Sequence, residues 1–252
     1  MEDSAGQRGS FCVRHDDVEG RPVRSLCAGS RSPGKPGAVL VPALGVPEDL
    51  GALARECARW TVSSLLDVFA RDRRVGADLP AVTAVTAAWL RAVPTGPVVL
   101  VGHSTGAQAA LQAAVRAPAA VRALVLLSPT FAPELRRAPA LLRAYFRDSA
   151  HEPLDLWRTT LPGCARVGAT TLLRLVRSAR HDRPEDAVAD VRCPVLVVRG
   201  ERDALCPAHW AEGLGAAARQ GRCATVPGGH GFPHVHSRHT ADLIARFAEE
   251  CR

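Results

Sequence analysis

"PVVLVGHSTGAQAALQAAVRA", residues 97–117, decides how this chain folds. Val98, Val99, Leu100 and Val101 form an unbroken apolar run, the pattern of a strand covered on both faces. Two glycines then bracket Ser104, and "TGAQAALQAAVRA" (105–117) carries on as a helix. A strand that turns at once into a helix through G-x-S-x-G forces the serine backbone into a sharp bend. That bend lifts its hydroxyl above the sheet edge. Gly102 and Gly106 allow the two elements to approach. A G-x-S-x-G pattern alone is weak evidence, and its strand–turn–helix setting is what gives it weight. The Thr105 amide lies at the helix start, where unpaired N–H groups favour an anion.

The same alternation extends in both directions. Residues 11–15 and 22–29 flank "DDVEGRP" and predict an antiparallel hairpin, followed by the turn-rich loop 30–37. "AVLVPALG" (38–45) predicts a buried strand feeding a loop, 48–58 a helix, 61–68 a strand and 78–93 a helix with Pro80 near its start. Strands follow at 121–129, 193–200 and 222–228, with helices at 208–220 and 238–250. The expected class is α/β, a mostly parallel twisted sheet with helices on both faces. Residues 130–190 are helical in character and break the alternation. They predict a helical lid inserted at the carboxyl end of a strand, where open parallel sheets bind ligands. The core is then 1–129 and 191–252.

Composition narrows the class. The chain has 252 residues, 47% hydrophobic and 23% charged, which suits one globular domain. Its net charge is +7, and every basic residue except Lys35 is arginine, a bias typical of a GC-rich genome. The arginines are scattered among acidic and apolar residues, and aromatics are only 4%. Neither a nucleic-acid footprint nor a base-stacking platform is expected. None of the eight cysteines forms a C-x-x-C pair, and no apolar run is long enough to span a membrane. With no apolar core in "MEDSAGQRGSFCVRHDD", a cytoplasmic setting with reduced cysteines is expected.

Serine needs a base oriented by a third group to act as a nucleophile at neutral pH. His103 is adjacent, but neighbouring side chains of an extended backbone point to opposite sides. His230, in "VPGGHGFPHVHS", follows a short strand and a Gly228-Gly229 pair, so it can reach the same sheet edge. Asp203 lies just beyond the strand of "VLVVRGERDALCP" and is the candidate acid. Ser104, Asp203 and His230 then occur in the chain order this elbow requires.

On "GHSTG", "GERDALCP", "PGGHGFP" and "VLVPALG", each at the end of a strand, the chain resembles the α/β-hydrolase superfamily, in its lid-bearing esterase-like group. The resemblance runs from the hairpin at residue 11 to the terminal helix. It implies catalysis by Ser104, Asp203 and His230, with an oxyanion hole from the backbone N–H groups of Leu44 and Thr105. Two departures stand out. Ala43 replaces a preferred glycine, which would be strained if the backbone there needs positive φ. The loop "DVFARDRRVG" (67–76) keeps Asp67 but lacks the family's glycines, and its expected state is a solvated loop.

The expected activity is hydrolysis of a fairly apolar ester, thioester or lactone through an acyl-enzyme on Ser104. The same triad could serve an acyltransferase, a cyclase or a C–C bond hydrolase, and the fold could serve a non-catalytic receptor. Phe131, Tyr145, Phe146 and Trp157 sit among leucines in the insertion and are candidate pocket residues, with the lid's own packing as the plainer account. His234, His236 and His239 follow His230 and could be read as a metal cluster, but the run sits in a serine-hydrolase pattern that needs no metal, so neither metal nor cofactor is expected. Cys206 is expected to be a buried, inert thiol. The expected partner is a small acyl substrate.

Overall fold

The computed structural model describes residues 11–69, 78–94, 96–150 and 152–251. The chain opens with a hairpin of β1 (Cys12–Val18) and β2 (Arg21–Ala28). Its turn is only Glu19-Gly20, both at positive φ, as two-residue hairpins require. The strands therefore reach further into "DDVEGRP" than composition suggests. Asp16, which looks like a turn residue, instead accepts a hydrogen bond from Trp89 Nε1 at 3.1 Å.

The remaining strands are β3 (Ala38–Val41), β4 (Ser63–Asp67), β5 (Val98–His103), β6 (Val121–Leu127), β7 (Val195–Gly200) and β8 (Gly221–Val226). The sheet order is β1-β2-β4-β3-β5-β6-β7-β8. β1, β2 and β4 pair antiparallel, and from β4 through β8 every pair is parallel. The order steps outward from β3 to β4, returns across β3 to β5, and then runs on to β8. β3 and β5 thus form the switch point, where the crevice at the carboxyl ends of the strands opens.

The helices are α1 (Gly51–Cys57), α2 (Leu79–Ala92), α3 (Thr105–Arg116), α8 (Ala208–Ala217), α9 (Phe232–Val235) and α10 (Ser237–Glu250) around the sheet. Between β6 and β7 lie α4 (Ala138–Ser149), α5 (Leu154–Val167), α6 (Ala169–Ala179) and α7 (Pro184–Ala187). The apolar strands alternate their side chains between two cores. Val39, Leu100, Leu124, Leu126 and Val197 pack with α2, α3 and α8. Leu40, Val99, Val101, Val125 and Val198 pack with α1 and α10 on the opposite face. Each fully buried leucine contributes roughly 1.5–3 kcal/mol. The short helix α9 was not foreseen; four residues, one of them proline, carry too little periodicity to be seen.

Two close approaches seat the elbow. A Cβ on Gly106 would lie 2.3 Å from the carbonyl oxygen of Val41, and one on Gly102 would lie 2.4 Å from that of Gly106. Helix α3 is thus pressed against the ends of β3 and β5 through glycine alone. Gly106→Ala is expected to destabilise the fold by about 1–3 kcal/mol or more through overpacking. Urea denaturation checks this, with the exposed Gly213→Ala as a control whose Cβ meets nothing.

Candidate active site

Ser104 sits between β5 and α3 with φ 55° and ψ −120°, a conformation that costs a non-glycine residue of order 1–3 kcal/mol. It persists because neighbours overdetermine it. The Ser104 N–H donates to Leu127 O on β6 at 2.9 Å, and the two glycine contacts hold the turn from either side. Ser104 is buried, at 8% exposure.

Asp203 stands just past β7 and is also buried. Its Oδ1 accepts the N–H groups of Leu205 and Cys206, each at 2.9 Å, and its Oδ2 accepts the Ser128 hydroxyl. Burial pushes its pKa up, but the charge and N–H of His230, the Ser128 hydroxyl and the Cys206 amide outweigh this and hold it below the usual range. Arg199 supports the loop by donating Nε to Cys206 O at 3.0 Å.

His230 follows β8 in a loop that crosses β7 at Gly200, where a Cβ would meet Gly229 O at 2.4 Å. Its Nδ1 lies 3.1 Å from both carboxylate oxygens of Asp203. Burial favours the neutral imidazole, yet the carboxylates of Asp203, Asp148 and Asp49 prevail and raise the pKa to about 9. The acid and base candidates are therefore in direct contact.

His103 does something different. Its Nδ1 is 2.6 Å from Asp49 Oδ2, and its Nε2 donates to His230 O at 3.0 Å. Both ring nitrogens face acceptors, so neither is free to take a proton from Ser104. Its ring lies 5.0 Å from that of His230, which brings the end of β5 beside the His230 loop. Asp49 also accepts the Ala43 N–H at 3.0 Å, tying the loop after β3 to the elbow.

In that loop the positive φ falls on Leu44 (φ 52°, ψ 17°), one residue past Ala43. The conditional strain at Ala43 is thus carried by Leu44, and the adjacent Gly45 is also at positive φ. The Leu44 N–H donates to Thr105 Oγ1 at 2.8 Å. The two residues proposed for the oxyanion hole are therefore in contact, with the Leu44 amide already holding an acceptor.

The four aromatic candidates separate into two groups. Phe131 is buried in the core under β6. Tyr145 meets Phe146 and Trp157 edge-on, with centroids 6.0 and 6.3 Å apart, on the outer α4–α5 surface, where Phe146 is 63% exposed. His234 faces Asp155 at 3.6 Å, and His239 is exposed at the start of α10. Cys206 is fully buried and burial lifts its pKa well above that of an ordinary thiol. Of the loop 67–76, residues 70–76 lie outside the described residues, while Asp67 is buried against Arg24 at 2.6 Å. Sequence inspection missed Asp49, Ser128, Asp148, Glu152 and Arg199. In sequence they are ordinary polar residues of strands, turns and helices, and no local pattern marks them.

A family model described as the alpha/beta hydrolase family matches residues 21–246. The chain belongs to that family. No curated protein matches this hydrolase in sequence. Among solved structures it is similar to a membrane phospholipase A described as a bacterial virulence factor, with a TM-score of 0.80 and 17% identity over 98% of this chain and 88% of that one. It is similar to E-2-(acetamidomethylene)succinate hydrolase, with a TM-score of 0.77 and 19% identity over 95% and 100% of the two chains. It is also similar to a thermophilic esterase from Thermogutta terrifontis, with a TM-score of 0.74 and 16% identity over 96% and 99%. At these identities the likeness is one of fold. No helix among the described residues of this hydrolase is long and apolar enough to cross a membrane.

The His230 pKa makes a prediction about stability. Its folded value, about 9, lies above the roughly 6.5 of an unfolded histidine. The associated stabilisation is complete below about pH 6.5 and is lost as pH rises through about 9. NMR titration of the His230 ring should show a midpoint near 9, and the melting temperature should fall between neutral pH and pH 9.5. A midpoint at the ordinary value, or a flat melting temperature, contradicts it.

Proposed function

We propose that this hydrolase is a serine hydrolase that cleaves a fairly apolar ester, thioester or lactone through an acyl-enzyme on Ser104. The observation that carries the reading is the Asp203–His230 contact at 3.1 Å, with the His230 ring 5.0 Å from that of His103, whose chain neighbour Ser104 is held at positive φ at the end of β5. With Nδ1 committed to Asp203, Nε2 is the nitrogen left to take the Ser104 proton. As the Ser104 oxygen bonds to the substrate carbonyl, that proton moves to His230, and Asp203 stabilises the imidazolium. His230 then returns the proton to the leaving group, and water attacks the acyl-enzyme with His230 again as base.

The oxyanion would be met by the Thr105 N–H, such a donor being worth about 3–4 kcal/mol, while the Leu44 N–H, which donates to Thr105 Oγ1, would join it only on releasing that oxygen. The Thr105 hydroxyl refines this. It accepts the Leu44 N–H, so its own proton remains available to donate onward. Phe131, buried next to the end of β6, would close the inner end of the acyl site, and the exposed Tyr145–Phe146–Trp157 cluster of α4 and α5 would meet an acyl chain only at its mouth.

Ser104→Ala should lower kcat on p-nitrophenyl butyrate by about a thousandfold or more and abolish fluorophosphonate labelling. Unchanged turnover would remove Ser104 from the chemistry, and a wild type inert to both reagents would favour a receptor. Adding a competing alcohol separates hydrolysis from acyl transfer by product. Because His230 must be neutral to act as base, kcat/KM should climb with pH and level off near 9. Trp157→Ala should raise KM for p-nitrophenyl octanoate more than for the acetate, and equal effects on both would take Trp157 out of the acyl site.

A further inference from the structure

Helix α4 ends against the two loops that carry Asp203 and His230. Asp148, on its last turn, is 4% exposed, and its Oδ1 accepts the N–H groups of Ala204 at 3.3 Å and His230 at 3.2 Å. Its Oδ2 lies 3.3 Å from the same His230 N–H. One turn later Glu152 Oε1 accepts the Gly231 N–H at 2.7 Å. Three points of the loops that carry Asp203 and His230, at 204, 230 and 231, are thus held by two carboxylates from the β6–β7 segment. A Cβ on Gly229 or Gly231 would lie 2.7 and 2.6 Å from Glu152 oxygens, so a side chain at either position would displace the Glu152 carboxylate.

A buried carboxylate is costly unless a charge or several N–H groups compensate it. The partners of Asp148 are backbone amides, and the nearby cation is His230 itself. Burial pushes the Asp148 carboxyl up to about 6, with Asp203 and Glu152 adding to the rise and His230 opposing it.

The geometry points to Asp148 as a positioning residue that locks the acid and base loops together through the cap, with Glu152 as its second anchor, so that the Asp203–His230 pair is held in register only while the α4–α5 junction is seated. This rests on the proposed triad for its catalytic consequence, though not for its structural one. The groups facing His230 are Asp203 from the loop after β7, Asp148 from the last turn of α4, Asp49 from the loop after β3 and His103 from β5, with Glu152, just beyond α4, on the N–H of the next residue, Gly231. Asp148 is the carboxylate that touches the His230 backbone while its charge also favours the imidazolium. It therefore acts on both the place and the proton affinity of the base.

Asp148→Asn keeps the shape and removes the charge. The rise of kcat/KM for p-nitrophenyl butyrate should shift to lower pH by about one unit, because the imidazolium loses a neighbouring anion. Its high-pH plateau should fall by about tenfold or more, because Asn keeps one oxygen for the two N–H groups but loses the carboxylate's stronger charge-assisted bonds and sets an NH2 against the His230 N–H. A change in general stability would lower the plateau without moving the limb, and charge alone would move the limb without lowering the plateau; either result overturns the proposal. Glu152→Gln should lower the plateau with the limb in place, and it serves if Asp148→Asn fails to fold; an unchanged plateau there also counts against the clamp. NMR titration of His230 and hydrogen exchange at the His230 and Gly231 amides require no turnover. A lower His230 midpoint and faster exchange in Asp148→Asn would support the clamp even if Ser104 proved not to be the nucleophile. Unchanged values would overturn it with the triad intact.

Discussion

Gly106 sits so close to the carbonyls of Val41 and Pro42 that no side chain fits between them. This contact fixes where α3 begins relative to the ends of β3 and β5, and the rest of the site follows from it. It forces Ser104 into positive φ, sets the Thr105 hydroxyl against the Leu44 amide, and brings the loop after β3 within reach of the elbow. The strain at Ser104 and Leu44 is tolerable because both lie where two cores and a continuous parallel sheet already specify the backbone. The large apolar strands supply that rigidity, and the glycines direct it to one point.

Around that point the charges form two buried Asp–His pairs. Asp203 and His230 lie at the ends of β7 and β8, while Asp49 and His103 connect the loop after β3 to β5. The second pair is joined to the first by the bond from His103 to the His230 carbonyl. His103 therefore supports the site as a strut between loops, which explains a histidine next to the serine that does not serve it as a base. Desolvation raises the energy of each carboxylate, and the histidines and amides reverse that effect for Asp49 and Asp203. Asp148 has no such histidine side-chain bond and keeps a raised pKa.

The β6–β7 segment is fastened on both sides of the crevice. On one side Asp148 and Glu152 hold the His230 loop. On the other, Arg166 of α5 reaches Glu48 at 3.1 Å and Asp67 at 3.4 Å, and Gly163 lets the helix settle onto the loop after β3. The helices above the sheet are thus tied to the loops whose geometry the chemistry would use.

The sequence by itself determined the alternation of strands and helices, the elbow at "GHSTG" and the order of Ser104, Asp203 and His230. Those features are local: uninterrupted apolar runs, a glycine-flanked turn and polar residues at strand ends. The tertiary structure alone decided that the hairpin turn is two residues long, that the positive φ falls on Leu44, and that Asp49, Ser128, Asp148 and Glu152 surround the site. Each of those residues acts on a partner tens of residues away, through a backbone amide, a hydroxyl or, for Asp49, an imidazole, and none of these carries a sequence pattern. A carboxylate at the end of an amphipathic helix looks like any solvated acid until the fold buries it against two loops.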